Sequence, residues 1–190
     1  MTNQSKKLQR LITIAIFSAI AYLLMMLDFP FPGFPPFLKI DFSEVPALLV
    51  TIIYGPVAGI LVEAFKNTLH YIFQTPPTGI PIDEIANFLA GISFILPVAF
   101  VFKKFRTQKG LTLGLILGVI TMTLIMSFLN YIAVFPAYAY FMGMELPANL
   151  FKFIATAIAP FNVVKGLFIT IVFLLLYHKL ERFIHKTTVS

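Results

Sequence analysis

Residues 45–73 read VPALLVTIIYGPVAGILVEAFKNTLHYIF. The fold turns on whether this is one apolar segment or two. Gly55-Pro56 is a turn signal, and proline interrupts a helix interior because it lacks an N–H and crowds the preceding turn. The stretch therefore reads as two helices, a short one over about 43–54 and a longer one over about 57–73. The second carries Glu63, Lys66, Asn67 and His70, spaced three and four apart and so sharing one broad face. Two readings of that face stand side by side. It is an internal ion pair that neutralises itself between helices, or it is one wall of a polar cavity. With no second histidine nearby in sequence, His70 does not suggest a metal site.

The composition says which solvent these helices face. The 190 residues are 59% hydrophobic and 12% charged, against about 45–50% and 25% in soluble domains. A bilayer is the natural solvent for such a chain, and a helix needs roughly 20 apolar residues to cross it. Four more spans are expected, over about 11–27, 82–102, 111–135 and 159–177. Together with 43–54 and 57–73 they predict an all-α integral membrane protein, a compact six-helix bundle forming one membrane domain over 1–190. No cleavage site follows the first apolar segment, which is read as retained. There is no cysteine, which excludes disulfides and thiolate chemistry.

Charge fixes the orientation. Lys6, Lys7 and Arg10 precede the first span, Lys103, Lys104, Arg106 and Lys109 follow the fourth, and Lys179, Arg182 and Lys186 follow the sixth. With six spans, these ten of the fourteen basic residues fall on one face, which the positive-inside rule makes cytoplasmic. Both termini are then expected in the cytoplasm. Asp28, Asp41, Glu44, Asp83, Glu84 and Glu145 fall at or near the outer face. The net charge of +6 is read by this location and not as a nucleic-acid signal.

The outer loops are the elaborate ones. Residues 29–46 read FPFPGFPPFLKIDFSEVP, too rich in proline for a helix and too rich in phenylalanine for a solvated linker. Residues 74–81 and 136–160 are the other two outer loops, and loops of this length in a compact fold are usually functional. Beneath them, Asn87, Asn130, Asn162 and Lys165 place amide or ammonium groups in later spans. Polar groups in a bilayer face protein or water, which marks them as candidate ligand groups. Lys165 has an alternative reading, with its ammonium snorkelling to the outer surface. Amides and ammoniums donate and accept toward a heteroaromatic ring, and phenylalanine faces stack on one.

Small-residue pairs mark close helix approach. Gly114 and Gly118 fit packing within the bundle, and Ala15 and Ala19 fit either such packing or a partner-protein face. No Walker P-loop and no GxSxG, HExxH or paired catalytic carboxylate motif is present in the sequence, so no enzymatic activity is expected. No inverted repeat of the secondary-transporter kind is evident.

KIDFSEVPALL (Lys39 to Leu49) and YGPVAGILVEAFKNTLHY (Tyr54 to Tyr71) resemble the substrate-binding S component of energy-coupling factor (ECF) vitamin transporters, most closely its riboflavin-specific branch. The resemblance covers essentially the whole chain. It implies a multi-pass protein of the bacterial cell membrane, with an outward-opening pocket capped by the 28–44 loop as a lid. Riboflavin is then the transported substrate, and no cofactor is implied. The expected ligand residues are Phe37, Leu38, Lys39, Asp41, Asn87, Asn130, Asn162 and Lys165. The resemblance also implies that Ala15 and Ala19 contact a transmembrane coupling subunit, itself docked on two cytoplasmic ATPase subunits, and that the protein topples in the membrane to deliver its vitamin. Another vitamin in the same fold, or a stand-alone secondary carrier, are the alternatives.

Overall fold

A computed structural model describes residues 3–74 and 79–188. Residues 75–78, in the second loop expected outside, and the side chains of Arg182 and Lys186, lie outside the described residues. Helix α1 runs Asn3–Met26, and two-residue strands β1 (Phe29–Pro30) and β2 (Lys39–Ile40) form an antiparallel hairpin. Then come α2 (Glu44–Tyr54), α3 (Pro56–Gln74), α4 (Ile82–Phe105) and α5 (Gln108–Leu129). After α5 the chain adopts π-helical register over Asn130–Val134 and continues into α6 (Phe135–Met142). The last elements are α7 (Leu150–Phe153), a second π segment over Ile154–Ile158, and α8 (Ala159–Thr188).

Helix α2 is the centre of the bundle. Nine of its eleven residues are buried. One side, with Leu48, Leu49 and Ile52, packs into the large core formed with Phe94, Leu115, Met122 and Phe173. Its other side, with Ala47 and Val50, packs on Ile14 and Ala21 of α1 and Ala58 and Val62 of α3. At 1.5 Å per residue it covers about half of a bilayer core of about 30 Å. Gly55 turns the chain into α3 with φ +89°, a conformation that glycine adopts without steric cost.

Among the described residues, four helical stretches are long and apolar enough to cross a membrane: Gln4–Met26, Ile82–Phe105, Gln108–Met142 and Leu150–Lys179. Helix α3, with 19 residues, is long enough but not apolar enough on average. The reason is its inverted arrangement. Glu63, Lys66 and Asn67 are buried while Val57, Phe65, Ile72 and Phe73 are exposed. Ile16, Ile20, Ile116, Leu124, Ile171 and Leu175 likewise point outward. An apolar exterior around buried charges is what a bilayer selects.

The structure corrects the third outer loop. Residues 136–160 are expected as loop because the flanking spans are drawn over 111–135 and 159–177, yet helix continues to Met142 and resumes at Leu150. Gly143 caps the first piece at φ +64°, and Asn149 caps the second by accepting from Lys152 N. Pro136 and Pro160 are each the second residue after a π segment, inside a helix that continues without a break, and proline and π bulges are both recognised sites of helix kinking. Such π segments are often found at functional sites. Gly114 and Gly118 face Val98 and Phe94 across the α4–α5 contact, with no room for a Cβ at Gly118.

Candidate functional site

The 28–43 hairpin is held down by aromatic contacts. Phe31 meets Phe168 at 5.5 Å between ring centroids, and Phe34 meets Phe161 at 5.6 Å, both edge to face. Phe37 lies 6.4 Å from Phe135 and from Phe153, which themselves make an edge contact at 5.7 Å. Leu38 packs against Phe135, Ile154 and Ile158. Phe37 is nevertheless 58% exposed. At the base of the hairpin, Lys39 Nζ donates to both Asp28 oxygens at 3.0 and 3.1 Å. Lys39 is exposed and is not brought together with the other candidate residues.

Under the hairpin sits a buried charge cluster drawn from four parts of the chain. Lys165 of α8 donates to Asp41 Oδ2 at 3.0 Å and lies 3.2 Å from Glu44. Lys66 of α3 lies 2.9 Å from Glu63 and 3.6 Å from Glu44, and donates to Ser43 Oγ at 2.6 Å. Ser43 N donates to Asp41 Oδ1 at 2.9 Å. Burial pushes the Asp41 carboxyl up, but the Lys165 and Lys66 ammoniums and the Ser43 hydrogen bonds outweigh it and hold it at about 2. Three carboxylates thus face two ammoniums, and Glu44 bridges both. Lys165 is buried and paired, not snorkelling. Gly91 of α4 lets the Glu63 carboxylate lie against its backbone, where a Cβ would overlap the carboxylate.

The polar face of α3 therefore divides. Glu63 and Lys66 make the internal ion pair, while His70 Nδ1 lies 2.9 Å from Glu84 Oε1 and Asn67 turns toward α4, lining a groove with Glu84. The ion-pair reading fits Glu63 and Lys66, whereas the groove beside Asn67 is lined mostly by apolar groups.

Each asparagine spends part of its hydrogen-bonding capacity locally. Asn130 Nδ2 donates to Met126 O at 2.7 Å, and Asn162 Nδ2 donates to Ile158 O at 2.8 Å. Oδ1 and one amide hydrogen remain on each. Both residues border π segments, Asn130 opening the first and Asn162 one turn beyond the second. Asn87 Oδ1 is buried without a hydrogen-bond partner, as are Thr123 Oγ1, Ser127 Oγ and Thr170 Oγ1. Thr123 and Ser127 share a face of α5 with Asn130 by their spacing of four and three. That repeat was the available signal for them in the sequence, but hydroxyls in an apolar helix are easily taken as bonded to their own backbone. At the hairpin end, the Tyr138 hydroxyl donates to Asp83 and ties α6 to the start of α4. Ala15 and Ala19 are both exposed on α1.

Comparison with known proteins fits this arrangement. Residues 9–177 match the family model of the ECF transporter, substrate-specific component. The chain is 48% identical over 182 residues to the riboflavin transporter FmnP of Bacillus subtilis, covering 95% of this chain and 96% of that protein. It is 45% identical over 179 residues to the riboflavin transporter RibU of Staphylococcus aureus, covering 94% and 93%. A solved structure of the S component of a bacterial ECF transporter superposes with a TM-score of 0.81 at 45% identity, covering 93% of this chain and 98% of that one. A bundle with buried charges, an apolar exterior and an aromatic hairpin over polar groups is thus accounted for: the chain belongs to the substrate-specific component family of ECF transporters.

Proposed function

We propose that this protein is the riboflavin-binding membrane subunit of an ECF transporter, capturing the vitamin beneath the hairpin and passing it inward. The near-full-length similarity to two riboflavin transporters carries the choice of vitamin. The chemistry at the hairpin agrees with it. Isoalloxazine is flat and apolar on its faces and carries carbonyls and ring nitrogens along one edge. Phe37 and Leu38 supply faces, and Asn130, Asn162 and Lys165 supply the polar edge. Asn87 and Asp41 take the ribityl hydroxyls, with Ser127 and Thr123 as further unpartnered oxygens on the α5 face that carries Asn130. Lys39 acts at a distance, by tying the base of the lid to Asp28.

Selectivity follows from the buried polar groups. A ligand lacking the matching donors and acceptors leaves them unpaired, which discriminates more strongly than apolar fit. Prolines 30, 32, 35 and 36 restrict the open hairpin and reduce the entropy lost when it orders over the ligand.

In this reading the protein crosses the bacterial cell membrane six times, α2 and α3 included, with both termini cytoplasmic and the hairpin outside. The basic groups at both ends of the sequence and between α4 and α5 support that orientation. Ala15 and Ala19 form the face for a transmembrane coupling subunit, which links the protein to two cytoplasmic ATPases. Their exposure and small size suit close helix approach. Titration of the detergent-solubilised protein with riboflavin tests the function: flavin fluorescence should quench with saturation. An unquenched signal at micromolar riboflavin sinks the proposal, and stronger competition by thiamin, biotin or folate would reassign the vitamin. Uptake into liposomes lacking any ATPase partner would instead support a stand-alone carrier.

A further inference from the structure

The buried charges beneath the hairpin do not balance. Lys165 and Asp41 neutralise each other at 3.0 Å. Lys66 is left between two carboxylates, Glu63 at 2.9 Å and Glu44 at 3.6 Å. Glu44, Glu63 and Lys66 are each 0% exposed, and Asp41 and Lys165 are nearly as deeply buried. Three carboxylates and two ammoniums, all closed to water, leave one negative charge over. A buried carboxylate without a counter-charge is costly, and in practice it neutralises by taking a proton.

The surroundings supply no other compensation. Among the described residues, the ion pairs of the cluster bring in no third cation. Lys39 lies outside on Asp28, and His70 faces a different carboxylate, Glu84. Helix α4 meets Glu63 through Gly91 and carries no charged residue between Glu84 and Lys103. Helix α1 carries none between Arg10 and Asp28, and α2 none besides Glu44. A divalent metal takes about six oxygens, and among the described residues no group of three or more acidic or histidine side chains is placed to hold one.

Hydrogen bonding is a second, independent sign. Glu44 Oε2 and Glu63 Oε1 are buried without a hydrogen-bond partner. Ionised carboxylates only accept, whereas a protonated one also donates through its O–H. Both carboxylates reach toward the same Lys66 Nζ, so their charges repel at short range, which favours a proton on one of them. Asp41 needs none, because Ser43 N and Lys165 Nζ already donate to its two oxygens.

We propose that Glu44 and Glu63 hold one proton between them at neutral pH, making a neutral unit with Lys66 beside the neutral Lys165–Asp41 pair. The proton belongs to the pair and not to either residue, as for other carboxylates that share a site. The site is closed to any larger ligand. It rests on burial and charge and is independent of which vitamin is carried.

Infrared spectra of the flavin-free, full-length protein test this, taken at neutral pH in a detergent without ester groups. A protonated carboxyl has a C=O stretch that is separate from the carboxylate bands and shifts in D2O. The natural sequence should show that band. Glu44→Gln and Glu63→Gln each leave one carboxylate for Lys66, so either substitution should abolish it. Each single variant should keep a thermal midpoint close to the natural one, since an amide replaces a carboxyl already neutralised within the pair. The double variant leaves Lys66 buried without a counter-charge and should lose several degrees. Both single variants should still quench riboflavin fluorescence, which shows that they are folded and keeps a failure here apart from a failure of the vitamin assignment. Absence of the band from the natural protein, or its persistence in either single variant, would overturn the proposal. So would single variants that each lose as much midpoint as the double.

Discussion

Lys165 and Asp41, 124 positions apart in the chain, form a buried ion pair at 3.0 Å that ties α8 to the end of the hairpin. Removing one partner of a buried pair leaves an uncompensated charge and costs about 3–5 kcal/mol. Lys165→Met and Asp41→Asn should each lower the thermal midpoint of the solubilised protein markedly. The double variant should lose less than the sum of the two, with a coupling of at least about 1 kcal/mol; additive losses would refute the pair as an energetic unit.

Asp41 also sets an acid limit. Its carboxyl is held at about 2 against an ordinary 3.8. A depressed carboxyl stabilises the folded state above its unfolded value and loses that contribution as pH falls through its folded value. The shift corresponds to about 2 kcal/mol, lost between about pH 4 and pH 2. The drop in thermal midpoint from pH 6 to pH 3 should be smaller in Asp41→Asn than in the natural sequence. Equal drops would assign the acid loss to other carboxylates.

Phe37 and Lys39 separate ligand contact from lid anchoring. Phe37 is largely exposed, so Phe37→Ala should cost little stability while weakening riboflavin binding several-fold, as expected for a lost ring contact of about 0.5–1.5 kcal/mol. Lys39→Ala breaks only an exposed ion pair, worth about 1 kcal/mol or less, and should change affinity less than Phe37→Ala does. The comparison is read from paired quenching titrations; the reverse order would move the ligand contact from the ring to the ammonium.

Gly91 should accept a side chain only at the expense of Glu63. A Cβ there overlaps the Glu63 carboxylate, which must move and disturb its 2.9 Å pair with Lys66, a loss of about 1–3 kcal/mol. Gly91→Ala should lower the thermal midpoint, whereas Ala19→Gly, on the exposed face of α1, should lower it by less. A Gly91→Ala midpoint equal to that of the natural sequence would mean that the Glu63 carboxylate moves aside without loss.

Ala15 and Ala19 offer a functional separation. Leucine at both positions should leave riboflavin quenching intact, because neither touches the candidate ligand residues. It should abolish copurification with the coupling subunit and riboflavin uptake by cells. Uptake at the rate of the natural sequence would remove this face from the partner interface.

Much of this protein is legible locally. Long apolar runs, the Gly55-Pro56 turn and the basic flanks are short-range signals, and they lead to helices whose apolar sides face outward. The reading failed where the flanking spans stop short of 136–160. Helix runs on through Pro136 and Pro160, each after a segment of π register, and register depends on how the helix packs. The face of α3 was visible by its spacing, while its division between an ion pair and a groove was not.

The sequence by itself determined that the chain is a membrane bundle with polar groups in its later spans, because hydropathy and helical spacing act between neighbouring residues. Tertiary structure alone decided which of those groups meet. It brought Asp41 to Lys165, left Lys39 with Asp28, and turned Asn67 and Glu84 toward a shared groove. Buried charges accept few partners at short range, and only the packing of α2 among its neighbours selects them.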